Sequence, residues 1–474
     1  MKRGATIWQI LGTRFLPFAD AASEELPLGR LLRLSLFQVS VGMAMVLLTG
    51  TLNRVMIVEL HVPAWLVGLM VSLPLLFAPF RALIGYKSDT HRSVLGWRRV
   101  PYIWFGTLMQ FGGFAIMPFA LILLSGDSHG PAWIGHAGAA LAFLLVGAGV
   151  HTTQTAGLAL ANDLAPAHLR PRVVALLYVT LLLGMVVSAA VFAVLLQDFS
   201  QKHLIQVIQG VAVVTMVLNI LALWKQEPRN AELTSKSVEH MAFSKAFGRF
   251  VRNGRTLRLL VALALGTAGF AMQDILLEPF GGQVFAMGVG QTTWLTALLA
   301  VGSLCGFAVA AQFLTNNGDP ARVASAGALL GAFAFAAIVF APAIGSVNLF
   351  RLATTAVGFG GGLFAVGMLT AAMELAATTS SGLALGAWGA VQATAAGLAI
   401  ALSGMLRDGV GSLALRGELG TTLQQEATGY SFVYNIEILL LFATLIALGP
   451  LVRVRGISTV SLPNVKFGLV QHPG

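Results

Sequence analysis

What most restricts the fold of this 474-residue chain is a recurring run of roughly twenty apolar residues, the length a helix needs to cross the hydrocarbon core of a bilayer. Backbone polar groups in lipid must be satisfied within the protein, so runs of this kind are expected to be helices. They fall near 31–54, 63–86, 101–124, 133–161, 173–196 and 204–224, and again near 257–278, 292–315, 321–341, 348–376, 382–406 and 432–452. Composition agrees: 57% of the residues are hydrophobic, 10% are charged and the mean hydropathy is +0.81, which excludes an ordinary soluble domain. The expected fold is an all-α polytopic membrane protein of twelve transmembrane helices in two six-helix halves, 31–224 and 257–452. A segment 1–30 precedes them, a polar linker 225–256 joins them, and a tail 453–474 follows.

Loop charge orients these spans. Arg54, Lys202, Arg351, Arg407 and Arg416 fall on one side; apart from Arg81 inside a span, the remaining Lys and Arg lie with the linker and both termini. By the positive-inside rule both termini are cytoplasmic. The net charge of +10 is therefore topological, and no nucleic-acid partner is expected. The first thirty residues hold charges and prolines rather than an apolar signal core, so the N-terminus is expected to stay attached. Cys305 is the lone cysteine, which leaves no intramolecular disulfide and no metal cluster. Without a phosphate-binding glycine loop ending in lysine, zinc spacing, or a nucleophile with its base, the chain is not expected to be an enzyme.

Two six-span halves about a long linker resemble the major facilitator superfamily, whose halves rock around a central cavity. Gly85, Asp89, Arg98 and Arg99 after the second span resemble that superfamily's loop signature, with a longer spacing to the arginines. The fourth and tenth spans echo each other in Ala-Asn-Asp-Leu-Ala ending at Ala165 and Ala-Met-Glu-Leu-Ala ending at Ala376. Asp163 near Arg98, Arg99, Arg170 and Arg172 would make a cytoplasmic latch, with Asp89 and Glu374 as further members. A proton or substrate role for Asp163 and Glu374 is the alternative.

Asp274 and Glu278 stand at the end of the seventh apolar run, four residues apart and so on one face of a continuous helix. Pro279, Gly281 and Gly282 are expected to end that helix. Acids near the lipid core need a partner. In a two-half fold the first and seventh spans are pseudo-equivalent, which brings Asn53, Arg54 and Glu59 to the same end. The expectation is an extracytoplasmic closure in which Arg54 pairs with Asp274 or Glu278.

Several blocks resemble a narrower group: Phe15 to Ala22 with Leu26 to Ser35, Leu52 to Leu60, Pro79 to Gly85, Gly96 to Tyr102, Gln273 to Gly282 and Gly386 to Ala393. They are similar to the bacteriochlorophyll delivery family of purple phototrophic bacteria, the branch that includes PucC and LhaA, and they run through most of the chain. The resemblance implies an assembly factor for light-harvesting complexes in the intracytoplasmic photosynthetic part of the bacterial inner membrane. Such a factor would deliver bacteriochlorophyll to newly inserted antenna α and β polypeptides, or hold those polypeptides. The lean is to the core type, LhaA, and hence to light-harvesting 1 around the reaction centre. Bacteriochlorophyll synthase and the membrane insertion machinery are implied neighbours, and carotenoid or lipid further cargo. The competing function is a proton-coupled secondary transporter of a small or lipophilic solute, working through Asp274, Glu278 or Glu374.

A pigment site needs an axial ligand for magnesium and a greasy slot. His151 is the one histidine deep in a span, with Gln154 a turn along; a buried histidine equally serves by bonding a neighbouring helix. Arg81 could meet a pigment carbonyl or an acid, or snorkel to the interface, and Gln392 is a further cavity candidate. Gly302 with Gly306 and Gly358 to Gly362 allow close helix approach or leave a flat slot for a ring. Ile7, Trp8, Ile10, Leu11 and Phe15 could line one side of a short interfacial helix bearing Arg14, as an anchor or as a docking element.

Overall fold

The computed structural model describes residues 26–76, 88, 97–125, 131–166, 169–227, 254–316, 318–378 and 381–452, and every regular element among them is helical. The first half contains α1 (Leu28–Met45), α2 (Ala64–Leu76), α3 (Val100–Leu124), α4 (Ala132–Leu164), α5 (Arg170–Leu195) and α6 (Gln201–Leu223). The second contains α7 (Gly254–Ala271), α8 (Leu277–Phe285), α9 (Val289–Thr315), α10 (Pro320–Ile344), α11 (Val347–Thr378), α12 (Ser381–Leu415) and α13 (Ala427–Leu448). Eleven of the described helical stretches are long and apolar enough to cross a membrane. They match the expected spans except the second, which is described only through Leu76. Arg81, Asp89, the Gly85 end of the loop signature, the Ile7–Phe15 helix, most of the linker and the tail lie outside the described residues.

Local chemistry sets many of the helix ends. Ser200 accepts from the His203 amide at 3.1 Å to start α6. Asp319 does the same for Ala321 at 3.0 Å, with Pro320 at the first helical position of α10. Gly345, at φ +67°, ends α10 in the left-handed region that glycine enters without penalty.

Both helices expected at the Arg54 end depart from regular α geometry. The first span runs on from α1 through two π turns, Val46–Leu52 and Val55–Glu59, a widening that recurs at functional sites. The seventh does not continue to Pro279 and stop, as its glycines suggested. It breaks earlier, in a 3₁₀ turn over Met272–Ile275, and restarts as α8, which carries Pro279 in its first turn. The reason is proline itself: its ring excludes the carbonyl four residues back, that of Ile275, and it lacks the N–H to bond it. Proline is tolerated in the first turn of a new helix, so the break moves upstream. Asp274 and Glu278 therefore sit on two elements rather than on one helical face.

Within the halves, glycine brings backbones together. A Cβ at Gly358 would lie 2.0 Å from the Leu299 carbonyl, and one at Gly302 2.1 Å from that of Thr355, so α9 and α11 are in backbone contact. That closes the space a flat ring would need, and these glycines serve packing. The halves meet along two matched pairs, α2 with α12 and α5 with α9. Gly68 seats against the Ile400 carbonyl, Gly404 against that of Ala64 and Gly290 against that of Ala193. The main hydrophobic core is continuous across both halves.

Candidate functional site

Four charged side chains are buried among the described residues: Arg54, Arg99, Glu278 and Glu437. Arg54 and Glu278 lie where the π-widened first span meets the broken seventh, and Glu437 packs behind that break. Asn53 donates through Nδ2 to the Thr49 carbonyl in its own span and to the Asp274 carbonyl, 3.1 Å away in the other half. The 3₁₀ turn exposes that carbonyl by removing it from an α-helical ladder. Asp274 Oδ1 accepts from Gln273 Nε2 at 2.6 Å. Glu278 Oε1 accepts from Thr296 Oγ1 at 2.5 Å, and a Cβ at Gly50 would lie 2.5 Å from the same oxygen. Thr51 and Thr293 complete the seam with hydroxyls 3.4 Å apart.

The expected ion pair is different from the observed one. Arg54 pairs with Glu59 of its own span, and its second nitrogen donates to the Met287 carbonyl at 3.0 Å. It makes no direct ion pair with Asp274 or Glu278, although its charge acts on Glu278 at longer range. Two features redirect it. Glu278 is turned toward Thr296 by the restart of α8, and Gly282 leaves room for the guanidinium, 3.1 Å from where a Cβ would stand. The glycine expected to end a helix instead admits a cation. Arg54 still bridges the halves, through a carbonyl rather than a carboxylate.

A second bridge, absent from the sequence reading, lies nearby. Asp408 accepts from the Trp65 backbone N–H at 2.8 Å across the α2–α12 contact and pairs with Arg407 at 2.7 Å. Arg407 also donates to Gln283 and lies 4.6 Å over the Tyr430 ring, while Tyr430 donates to Gln283 at 2.6 Å. Phe280, Phe285, Phe350, Tyr430 and Tyr434 pack edge and face around α8. Glu437 was missed too, although an acid within the run 432–452 carries the same signal as Asp274. It is wholly buried, and among the described residues no side chain hydrogen-bonds its carboxyl oxygens.

At the opposite end the latch is present within the first half. Asp163 meets Arg99 at 3.0 Å and Arg98 at 3.7 Å, and Arg99 also donates to Ser88 at 2.6 Å. Glu227, which the sequence reading did not single out, accepts from the backbone N–H groups of Arg98, Arg99 and Val100 at the start of α3. Glu374 lies near the end of α11, in the other half.

His151 and Gln154 lie on α4, where Thr153 accepts from Gln110 at 3.0 Å to tie α4 to α3. Gln392 is on α12, in the second half. Beside it a cavity of about 600 Å³ opens between α7, α12 and α13. Ala264, Ala268, Ala395 and Leu402 are typical of its walls, and Thr394 is the one polar side chain lining it. The groove fits an apolar ring face or tail. It offers no imidazole or carboxylate to a magnesium ion.

The sequence profile of the family described as PUCC protein matches residues 51–456. The chain belongs to the PUCC protein family. Within it, the chain is 61% identical over 406 residues to a protein named PucC from Rhodovulum sulfidophilum, covering 84% of this chain and 89% of that one. It is 55% identical over 446 residues to PucC of Cereibacter sphaeroides, covering 94% and 96%. A more distant relative, 27% identical over 458 residues (93% and 98%), is named the bacteriochlorophyll synthase 44.5 kDa chain of Rhodobacter capsulatus. Among solved structures, the nucleoside transporter NupG superposes with a TM-score of 0.62 at 15% identity, covering 88% of this chain and 98% of that one. The xylose transporter XylE from E. coli gives 0.64 at 14%, covering 90% and 99%. This PUCC member therefore has the major facilitator fold and is a multi-pass membrane protein.

Proposed function

We propose that this PUCC family member is an assembly factor for light-harvesting antenna complexes. In this reading it delivers bacteriochlorophyll to newly inserted α and β polypeptides, or holds them, in the intracytoplasmic photosynthetic membrane. The observation that carries the reading is the groove between α7, α12 and α13, whose lining is apolar apart from Thr394. A water-soluble solute finds almost no hydrogen-bonding group there, whereas a macrocycle face, a hydrocarbon tail or an apolar helix finds matching surface. Bacteriochlorophyll, when bound, would supply the antenna's light-absorbing chromophore. The chain's contribution is an apolar seat for ring or tail, with Thr394 able to hydrogen-bond its polar edge; Gln392 and His151 do not line this groove. Carotenoid or lipid would fit the same surface. The partners proposed are the light-harvesting 1 polypeptides around the reaction centre, with bacteriochlorophyll synthase and the insertion machinery upstream. The role is non-catalytic.

Gentle affinity purification from phototrophic membranes tests this reading through the absorption spectrum and the identity of co-purifying subunits. Bacteriochlorophyll absorption, or antenna polypeptides on the gel, is the expected result. Colourless protein that takes up a solute saturably in vesicles would overturn it in favour of a secondary transporter.

A further inference from the structure

We propose that Glu437 and the Met272–Ile275 turn form a proton-binding site whose occupancy keeps the two halves joined at the Arg54 end. This role is separate from the cargo reading. Glu437 stands ten residues into α13, roughly 15 Å along the helix, which is close to halfway through a bilayer core. It is wholly buried, and among the described residues no side chain hydrogen-bonds its carboxyl oxygens, the Gln273 backbone N–H being the donor that faces them. An ionised carboxylate so placed forfeits its hydration with only the Gln273 backbone N–H in return, whereas the neutral acid carries a hydrogen-bond donor of its own. A buried acceptor lacking a donor, Gln273 Oε1, lies on the turn that α13 packs against.

Among the described residues, the groups around Glu437 offer no cation. The turn presents the Gln273 backbone N–H and the Asp274 carboxylate, a like charge. The next element, α8, adds a second acid, Glu278, held by Thr296. On α13 itself the Tyr434 hydroxyl is buried without a hydrogen-bond partner among the described residues. From α10 comes Phe335, stacked on Tyr434, and from α7 comes Phe270. Arg407 of α12 is engaged by Asp408, Gln283 and the Tyr430 ring.

The coupling runs through Asn53. The carbonyl that Asn53 reaches across the halves is that of Asp274, on the same turn. When the proton leaves Glu437 for solvent, two facing carboxylates repel, and a 3₁₀ turn, with its poorer bond geometry, yields more readily than an α-helix. Displacing the turn breaks the Asn53 contact and loosens the seam. Rebinding the proton restores it.

The test uses the full-length protein in nanodiscs with Cys305→Ala, Thr51→Cys and Thr293→Cys, because those two hydroxyls lie 3.4 Å apart across the seam. Copper-catalysed cross-linking is measured across neutral to alkaline pH. Thiol oxidation itself accelerates as pH rises, so a loss of cross-link reports separation. The expected result is loss at alkaline pH in the parent and a constant high yield when Glu437→Gln is added. The same loss in both, or no loss in the parent, overturns the proposal. Infrared spectra of protein with isotope-labelled glutamate need no Glu437 variant. A carboxylic-acid carbonyl band at neutral pH that persists in Glu278→Gln and vanishes at alkaline pH is expected, and its absence overturns the proposal.

Discussion

The Arg54 guanidinium donates to the Met287 carbonyl, 3.0 Å away on the other half of the molecule, while its ion pair is made to Glu59 within its own span. The halves are thus joined here by backbone carbonyls, Met287 for Arg54 and Asp274 for Asn53, with the carboxylates held to one side. A carbonyl gives an arginine a hydrogen bond without a second buried charge to desolvate.

Arg54→Ala should therefore lower thermal stability in detergent by about 1–3 kcal/mol, the scale of a lost charge-assisted hydrogen bond at a buried site. In double-mutant cycles the coupling of Arg54 with Glu59 should exceed that with Asp274. A larger coupling to Asp274 would restore the pairing expected from sequence.

Gly358→Ala should destabilise the second half by about 1–3 kcal/mol, because the new Cβ meets a backbone carbonyl at 2.0 Å and α9 and α11 must move apart. Gly389→Ala, with nothing within 4 Å of the added Cβ, is the control and should leave the melting temperature near that of the parent.

Asp408→Ala removes the acceptor for Trp65 N–H and the partner of Arg407. The seam should loosen, seen as faster labelling of Thr51→Cys by a membrane-impermeant maleimide on a Cys305→Ala background. Unchanged labelling would show that the α2–α12 contact holds without this bridge.

Ala268→Phe and Ala395→Phe project bulk into the groove from α7 and α12. Both should reduce pigment or antenna polypeptide recovered with the protein while leaving its membrane yield unchanged. Equal recovery would place the cargo elsewhere.

Glu227→Ala removes the carboxylate that accepts from three backbone N–H groups at the start of α3. A loss of about 1–2 kcal/mol is expected by thermal unfolding, the scale of a strong helix cap.

Much of this was legible in the residues. Apolar runs mark spans because the bilayer core has a set thickness, and Asp163 with Arg98 and Arg99 reads as a latch because opposite charges at one membrane face pair locally. Asn53, Arg54, Glu59, Asp274 and Glu278 were all expected at one end, and all meet there. Arg407 and Asp408 were legible only as loop charge, since their partners Gln283, Tyr430 and Trp65 are distant in sequence.

By itself the sequence determined that the chain is a helical membrane protein of two halves with a polar seam between the first and seventh spans, since hydrophobic length and charge position are local properties. Only the tertiary structure decided which group each seam residue touches. Pro279 moved the helix break upstream, Gly282 admitted Arg54, and Thr296 took Glu278. A break in one helix re-aims every side chain beyond it, and the packing of the facing helices settles where each lands.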